Sequence, residues 1–167
     1  MDTEAILRDK TILAVDDEED VLQSLSEILW MCRVETAATF EQARELLESR
    51  TYDLVILDIM GVRGFDLLKI AARRRMPALI LTAHGLNLEN LKRSIRDGAA
   101  FFAPKEKLTE LDTYLADILT AKRKDRSPWE RWSERLLDFF GRKFGEDWRE
   151  KDPEFWKSIK SYWYSVF

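Results

Sequence analysis

A chain of 167 residues holds one domain, or a domain with an appendage, and is long enough to bury a core of its own. Its net charge of -4 is mild and of the wrong sign to make nucleic acid the default partner. One cysteine, Cys32, excludes an internal disulfide and suits a reducing compartment, and neither a signal peptide nor a membrane span is visible, so a cytoplasmic location is expected.

Thr11 to Val15 reads as a first strand that runs into Asp16, Asp17 and Glu18. Val21, Leu25, Ile28 and Leu29 then recur at helical spacing, with Asp20 as the expected cap of a helix to Trp30. Val34 to Ala37 is a weak second strand. Thr39 and Gln42 have capping-box spacing and open a helix with Ala43, Leu46 and Leu47 inward. Leu54 to Leu57 is a short, continuous apolar run with β-branched members, the pattern of a strand buried on both faces of a parallel sheet, and Asp58 ends it. A turn with two glycines, Gly61 and Gly64, leads to a helix from about Phe65 to Arg74. Pro77 separates that helix from a strand over Ala78 to Leu81, which ends in Thr82. Asn87 caps a helix to Asp97, Gly98 terminates it, and a last strand from Ala99 to Ala103 passes Pro104 into Lys105. A closing helix carries Leu108, Leu111, Leu115, Ile118 and Leu119 on one face.

Strands alternating with helices about five times through short loops predict a doubly wound, five-stranded parallel α/β domain over residues 1–122. The segment 123–128 is polar and reads as a linker or hinge. Residues 129–167 read as a small all-helical extension holding Trp129, Trp132, Trp148, Trp156 and Trp163, five of the chain's 6 tryptophans. Trp129, Trp132, Leu136 and Phe140 form an aromatic stripe on one helix. Asp152 and Pro153 start another with Phe155, Trp156, Ile159 and Trp163 inward. The segment 123–167 has eleven basic and nine acidic residues, a poor balance for a DNA reader. Folding back on the domain or on itself, docking a protein partner or a second copy, and resting on a membrane surface are the three uses open to it, the last opposed by a polar face that is not notably cationic.

In a parallel sheet all the strand ends fall on one edge, so Asp16, Asp17, Asp58, Thr82 and Lys105 converge there. Crowded carboxylates raise one another's pKa, and a hard cation such as Mg2+ relieves that. An ionised aspartate beside the metal is a nucleophile for a phosphoryl group, whose oxygens the metal and Lys105 neutralise while Thr82 donates a hydrogen bond. His84, the sole histidine, reads as a solvated loop residue, and Cys32 as core packing.

From Lys10 to Lys122 these marks, together with Gly98-Ala99 and Phe102, resemble the receiver domain of two-component response regulators. The resemblance implies a flavodoxin-like (CheY-like) fold, Asp58 as phosphoacceptor, and Mg2+ held by Asp16, Asp17, Asp58 and the backbone carbonyl of Met60. It also implies contacts from Lys105 and Thr82 to the phosphoryl group, and Phe102 as a switch aromatic coupled to Thr82. The chain departs from the family pattern where Gly64 arrives two residues early without the usual proline, and where Glu106 follows Lys105. The expected function is a non-enzymatic signalling switch phosphorylated by a histidine kinase or phosphotransfer protein, acting on a protein partner or through a homodimer. A DNA-binding transcriptional regulator with an unusually small output module is the alternative, and a phosphohydrolase using Asp58 is a third, weakened because Met60 stands where that class has a second aspartate.

Overall fold

The structure, a computed structural model, describes residues 2–159. Five strands, β1 (Thr11–Val15), β2 (Arg33–Ala37), β3 (Leu54–Leu57), β4 (Ala78–Thr82) and β5 (Phe101–Pro104), form one parallel sheet in the order β2-β1-β3-β4-β5. The helices are α1 (Thr3–Leu7), α2 (Glu19–Ile28), α3 (Phe40–Ser49), α4 (Gly64–Arg73), α5 (Leu88–Arg96), α6 (Leu111–Arg123), α7 (Pro128–Phe144) and α8 (Pro153–Lys157), with a 3-10 segment over Lys105–Glu110. Strand order reverses after β2, so right-handed crossovers place α2 on one face and α3, α4 and α5 on the other. The reversal leaves a crevice at the carboxyl ends of β1 and β3, where open α/β sheets bind their ligands.

The three central strands are apolar for a physical reason. Leu54 to Leu57 are at most 1% exposed, because helices cover both faces of β3. The register sets Val15 beside Leu57 and Ile80 beside Phe102, so the residues that follow β1 and β3 emerge at the same level.

Several boundaries differ from the sequence expectation. The helix after β1 is capped at Glu18, not Asp20: the Asp16 carboxylate accepts the Glu18 N–H (2.9 Å), which turns the chain early and places Asp20 inside the first turn. The last strand begins at Phe101 rather than Ala99, and α6 is preceded by the tighter 3-10 turn. Helix α1 was not anticipated. At five residues it is too short to show a period, yet Asp2 caps it and Leu7 is fully buried where α1 packs on α6.

The extension folds back on the domain. Ser127 caps α7, Pro128 occupies its first turn, and Gly145, at φ 95, ends it. Trp129, Trp132, Leu136 and Phe140 are all buried and join the same apolar core as the sheet. Helix α7 lies along β5, which has β4 as its sheet neighbour on one side and would otherwise expose an open edge on the other. The indole N–H of Trp132 donates to the Phe102 carbonyl (2.8 Å), so an edge carbonyl is satisfied by a side chain. On its other side α7 packs on α6, where Arg135 forms a two-pronged ion pair with the buried Asp117. This explains why α6 buries Tyr114 and Asp117 besides the single apolar stripe expected of it. Segment 124–127 is a tight turn, closed by the Arg126 N–H on the Ala121 carbonyl (2.8 Å) with Asp125 in the left-handed region. Asp152 caps α8 as expected; Phe155 is buried, Trp156 and Ile159 are half-buried, and Trp163 lies outside the described residues. Among the described residues no helix is long and apolar enough to cross a membrane.

Candidate functional site

The carboxyl edge of the sheet gathers the acids by strand geometry alone. Val15 and Leu57 are register partners, so Asp16 and Asp58, the next residues, are neighbours, and the Asp58 N–H continues the ladder onto the Val15 carbonyl (3.0 Å). Both side chains are buried, at 2% and 4% exposure, whereas Asp17 and Glu18 are exposed. Lys105 reaches in from the end of β5. Its ammonium lies 2.8 Å from Asp16 Oδ2, 3.0 Å from Asp58 Oδ2 and 3.6 Å from Glu18 Oε1. Burial opposes the Lys105 charge, but the hydrogen bonds it donates to Asp16 and Asp58 overcome it and hold the pKa above the ordinary lysine value. Burial pushes the Asp16 carboxyl up from its usual range, with Asp58 adding to the rise and the Lys105 hydrogen bond opposing it.

Thr82, at the end of β4, is fully buried, and its hydroxyl oxygen accepts the Gly85 N–H (3.0 Å). A Cβ on Gly85 would stand 2.9 Å from that oxygen. The Gly85 carbonyl in turn accepts from Asn90 Nδ2 (3.0 Å), which ties the loop after β4 to α5. His84 is exposed. Phe102 is fully buried on β5, with β4 between it and the strand that ends in Asp58, and its ring centroid is 6.0 Å from that of Phe140 on α7.

The shortened turn after Asp58 works through its glycines. A Cβ at Gly64 would fall 1.9 Å from the Asp58 carbonyl oxygen, so α4 can begin directly against the site only with glycine there. Gly61 adopts φ 84, and a Cβ on it would strike the Asp17 carboxylate at 2.2 Å. Met60 directs its N–H toward Asp58 Oδ1 (3.4 Å), while its side chain is half exposed. Ligand atoms of Asp16, Asp17 and Glu18 lie within 4.8 Å of one another, an all-oxygen set of the kind a hard divalent cation takes. Glu18 as a member of this cluster, and Gly64, Gly85 and Asn90 as positioning residues, were not singled out from the sequence. Acid runs and glycine pairs are visible there, but the close approaches that need glycine exist only in the folded chain.

The family model for the response regulator receiver domain matches residues 12–116. The chain belongs to the response regulator receiver family. It is 34% identical over 100 residues to the two-component response regulator ARR18 of Arabidopsis thaliana, a match spanning 56% of this chain and 16% of that protein, so it covers only a small part of that relative. Among solved structures, the CheY-like receiver domain protein of Methanospirillum hungatei JF-1 is 28% identical with a TM-score of 0.64, over 70% of this chain and 98% of that one. NtrX of Brucella abortus is 30% identical with a TM-score of 0.57, over 70% of this chain and 29% of that one. The receiver match ends within α6, so α7 and α8 lie outside it. The fold is therefore the flavodoxin-like receiver fold of two-component signalling, carrying its own C-terminal helices.

Proposed function

We propose that this receiver accepts a phosphoryl group on Asp58 from a histidine kinase or phosphotransfer protein, in a Mg2+-dependent reaction, and passes the change to a protein partner or to a second copy. The observation that carries this reading is the single ammonium of Lys105 shared between Asp16 and Asp58 at 2.8 and 3.0 Å, with the exposed acids Asp17 and Glu18 beside them. More negative charge is gathered there than one lysine balances, which is unfavourable in the unliganded protein and suits a site that receives a cation.

Asp16, Asp17 and Asp58, with the Met60 carbonyl, would hold Mg2+, which supplies neutralisation of charge on the phosphoryl oxygens. The rest falls to the chain's own groups. A lone pair on an Asp58 carboxylate oxygen forms the new O–P bond as the N–P bond of a phosphohistidine donor breaks. The bonding pair returns to the imidazole nitrogen, leaving an acyl phosphate on Asp58 and a free imidazole on the donor. Lys105, already within hydrogen-bonding distance of Asp58, can follow the developing charge, and the Thr82 hydroxyl still has its proton to donate.

Asp58→Asn tests this reading. The variant is expected to fold as the parent and to lose all Mg2+-dependent labelling by a small-molecule phosphoryl donor, read by the mass of the intact chain. Labelling that persists at the parent level would reassign the acceptor.

A further inference from the structure

The C-terminal helices touch the two segments that hold the site's movable groups. The first is β5. Trp132 donates to the Phe102 carbonyl (2.8 Å), three residues before Lys105, and Phe140 packs on the Phe102 ring. The second runs through α5. The Thr82 hydroxyl accepts from Gly85, the Gly85 carbonyl accepts from Asn90, and the Asn90 carbonyl accepts from the Ser94 hydroxyl (2.7 Å). On that same helix Lys92 pairs with Asp152 (2.9 Å), and the Arg96 guanidinium lies 5.1 Å from the Phe155 ring centre. Asp152 and Phe155 belong to the cap and first turn of α8. A contiguous chain of contacts therefore leads from Thr82 to α8 and another from Lys105 to α7.

Both chains are set for an unmodified Asp58. Lys105 is committed to two bare carboxylates, and the Thr82 oxygen is committed to Gly85. A phosphoryl group on Asp58 adds negative charge and strong acceptor oxygens at that point, and draws both Lys105 and the Thr82 hydroxyl to new partners. We propose that α7 and α8 form an internal cap that is seated on the unmodified receiver and is loosened when Asp58 is phosphorylated, uncovering the β5 edge and the Trp132–Phe140 stripe together. This rests on Asp58 being the phosphoacceptor. Coupling between two sites is reciprocal, so a seated cap must also weaken binding of a phosphoryl mimic at Asp58, by a factor in the usual range of about 5 to 150.

The test uses the full chain with Mg2+ and beryllofluoride as the mimic. Bound fluoride is read by fluorine NMR and the cap by hydrogen exchange of the α7 amides. The mimic is expected to speed α7 exchange about tenfold, an effect absent from Asp58→Asn. Trp132→Phe, which keeps a ring but removes the N–H to Phe102, and Asp152→Asn, which removes the Lys92 ion pair, are each expected to lower the mimic concentration at half-saturation several-fold. Either variant suffices if the other fails to fold. A mimic that binds while α7 exchange is unchanged or slowed, or folded variants with the parent's half-saturation, overturns the cap and leaves Asp58 as the acceptor. No bound fluoride in the parent overturns both.

Discussion

The carboxyl edge of the sheet and the outer side of β5 are both densely packed regions, built by opposite chemistry. At the first, Asp16 and Asp58 are buried against one shared ammonium, with further acids at the rim. At the second, Trp129, Trp132, Phe140 and Trp148 pack ring on ring, with Trp132 stacked 5.4 Å from Phe140 and edge-on to Trp129 at 5.1 Å. The first holds charge that the protein alone does not balance, whereas the second is apolar, with the Trp132 N–H satisfied by Phe102 and the indole N–H of Trp156 buried without a partner among the described residues. Substitutions at the acidic edge should therefore change activity with little loss of stability, and those along β5 should do the reverse.

The largest expected loss of stability tests the apolar side. Trp132→Ala removes a fully buried indole and its hydrogen bond to Phe102, and should cost about 3–5 kcal/mol in urea unfolding. Asp58→Asn, at a comparably buried position, should cost far less, because it removes one of two carboxylates facing a single lysine. Equal losses in the two variants would break the distinction.

Gly64→Ala sharpens it from the other side. A methyl 1.9 Å from the Asp58 carbonyl must push α4 away from the site or displace the Asp58 backbone. The expectation is a loss of about 1–3 kcal/mol together with a marked drop in phosphorylation. The same exchange at Gly141, which meets nothing within 4 Å on α7, should leave phosphorylation unchanged. Stability and phosphorylation measured on both variants decide the matter.

How much of each region was legible in the sequence follows from the same contrast. The site residues each stand at the end of a strand, so strand pattern and residue type alone put Asp16, Asp58, Thr82 and Lys105 at one edge. The spacing of Trp129, Trp132, Leu136 and Phe140 gave a helix with a sticky face. It could not say that the face meets β5, because that pairing depends on the open edge and the Phe102 carbonyl, neither of which has a local signature. Helix α1 escaped for a related reason: five residues held mainly by burial of Leu7 against α6 carry no period. Glu18 replaced Asp20 as the helix cap because the Asp16 side chain, already turned to the site, also takes the Glu18 N–H.

The smallest expected effect is alkaline and lies on the α6 side of β5. Tyr114 stacks on Phe101 with ring centres 4.8 Å apart, and burial, aided by Glu110, pushes its hydroxyl from 10.0 up to about 12. A group whose folded pKa is raised contributes stability that is complete below its unfolded pKa and fades as pH rises through the folded one. Folding stability should therefore decline between pH 10.0 and about 12, because the unfolded chain loses this proton first. Tyr52, raised to about 12 by burial and by Glu35 beside it, adds to the same decline from the far side of the sheet. Tyr114→Phe should flatten the slope in part, and adding Tyr52→Phe should flatten it further, in denaturant titrations across that window. A slope that the double variant leaves untouched would mean that other groups carry the alkaline sensitivity, and that the α6 side of β5 is looser than its ring packing implies.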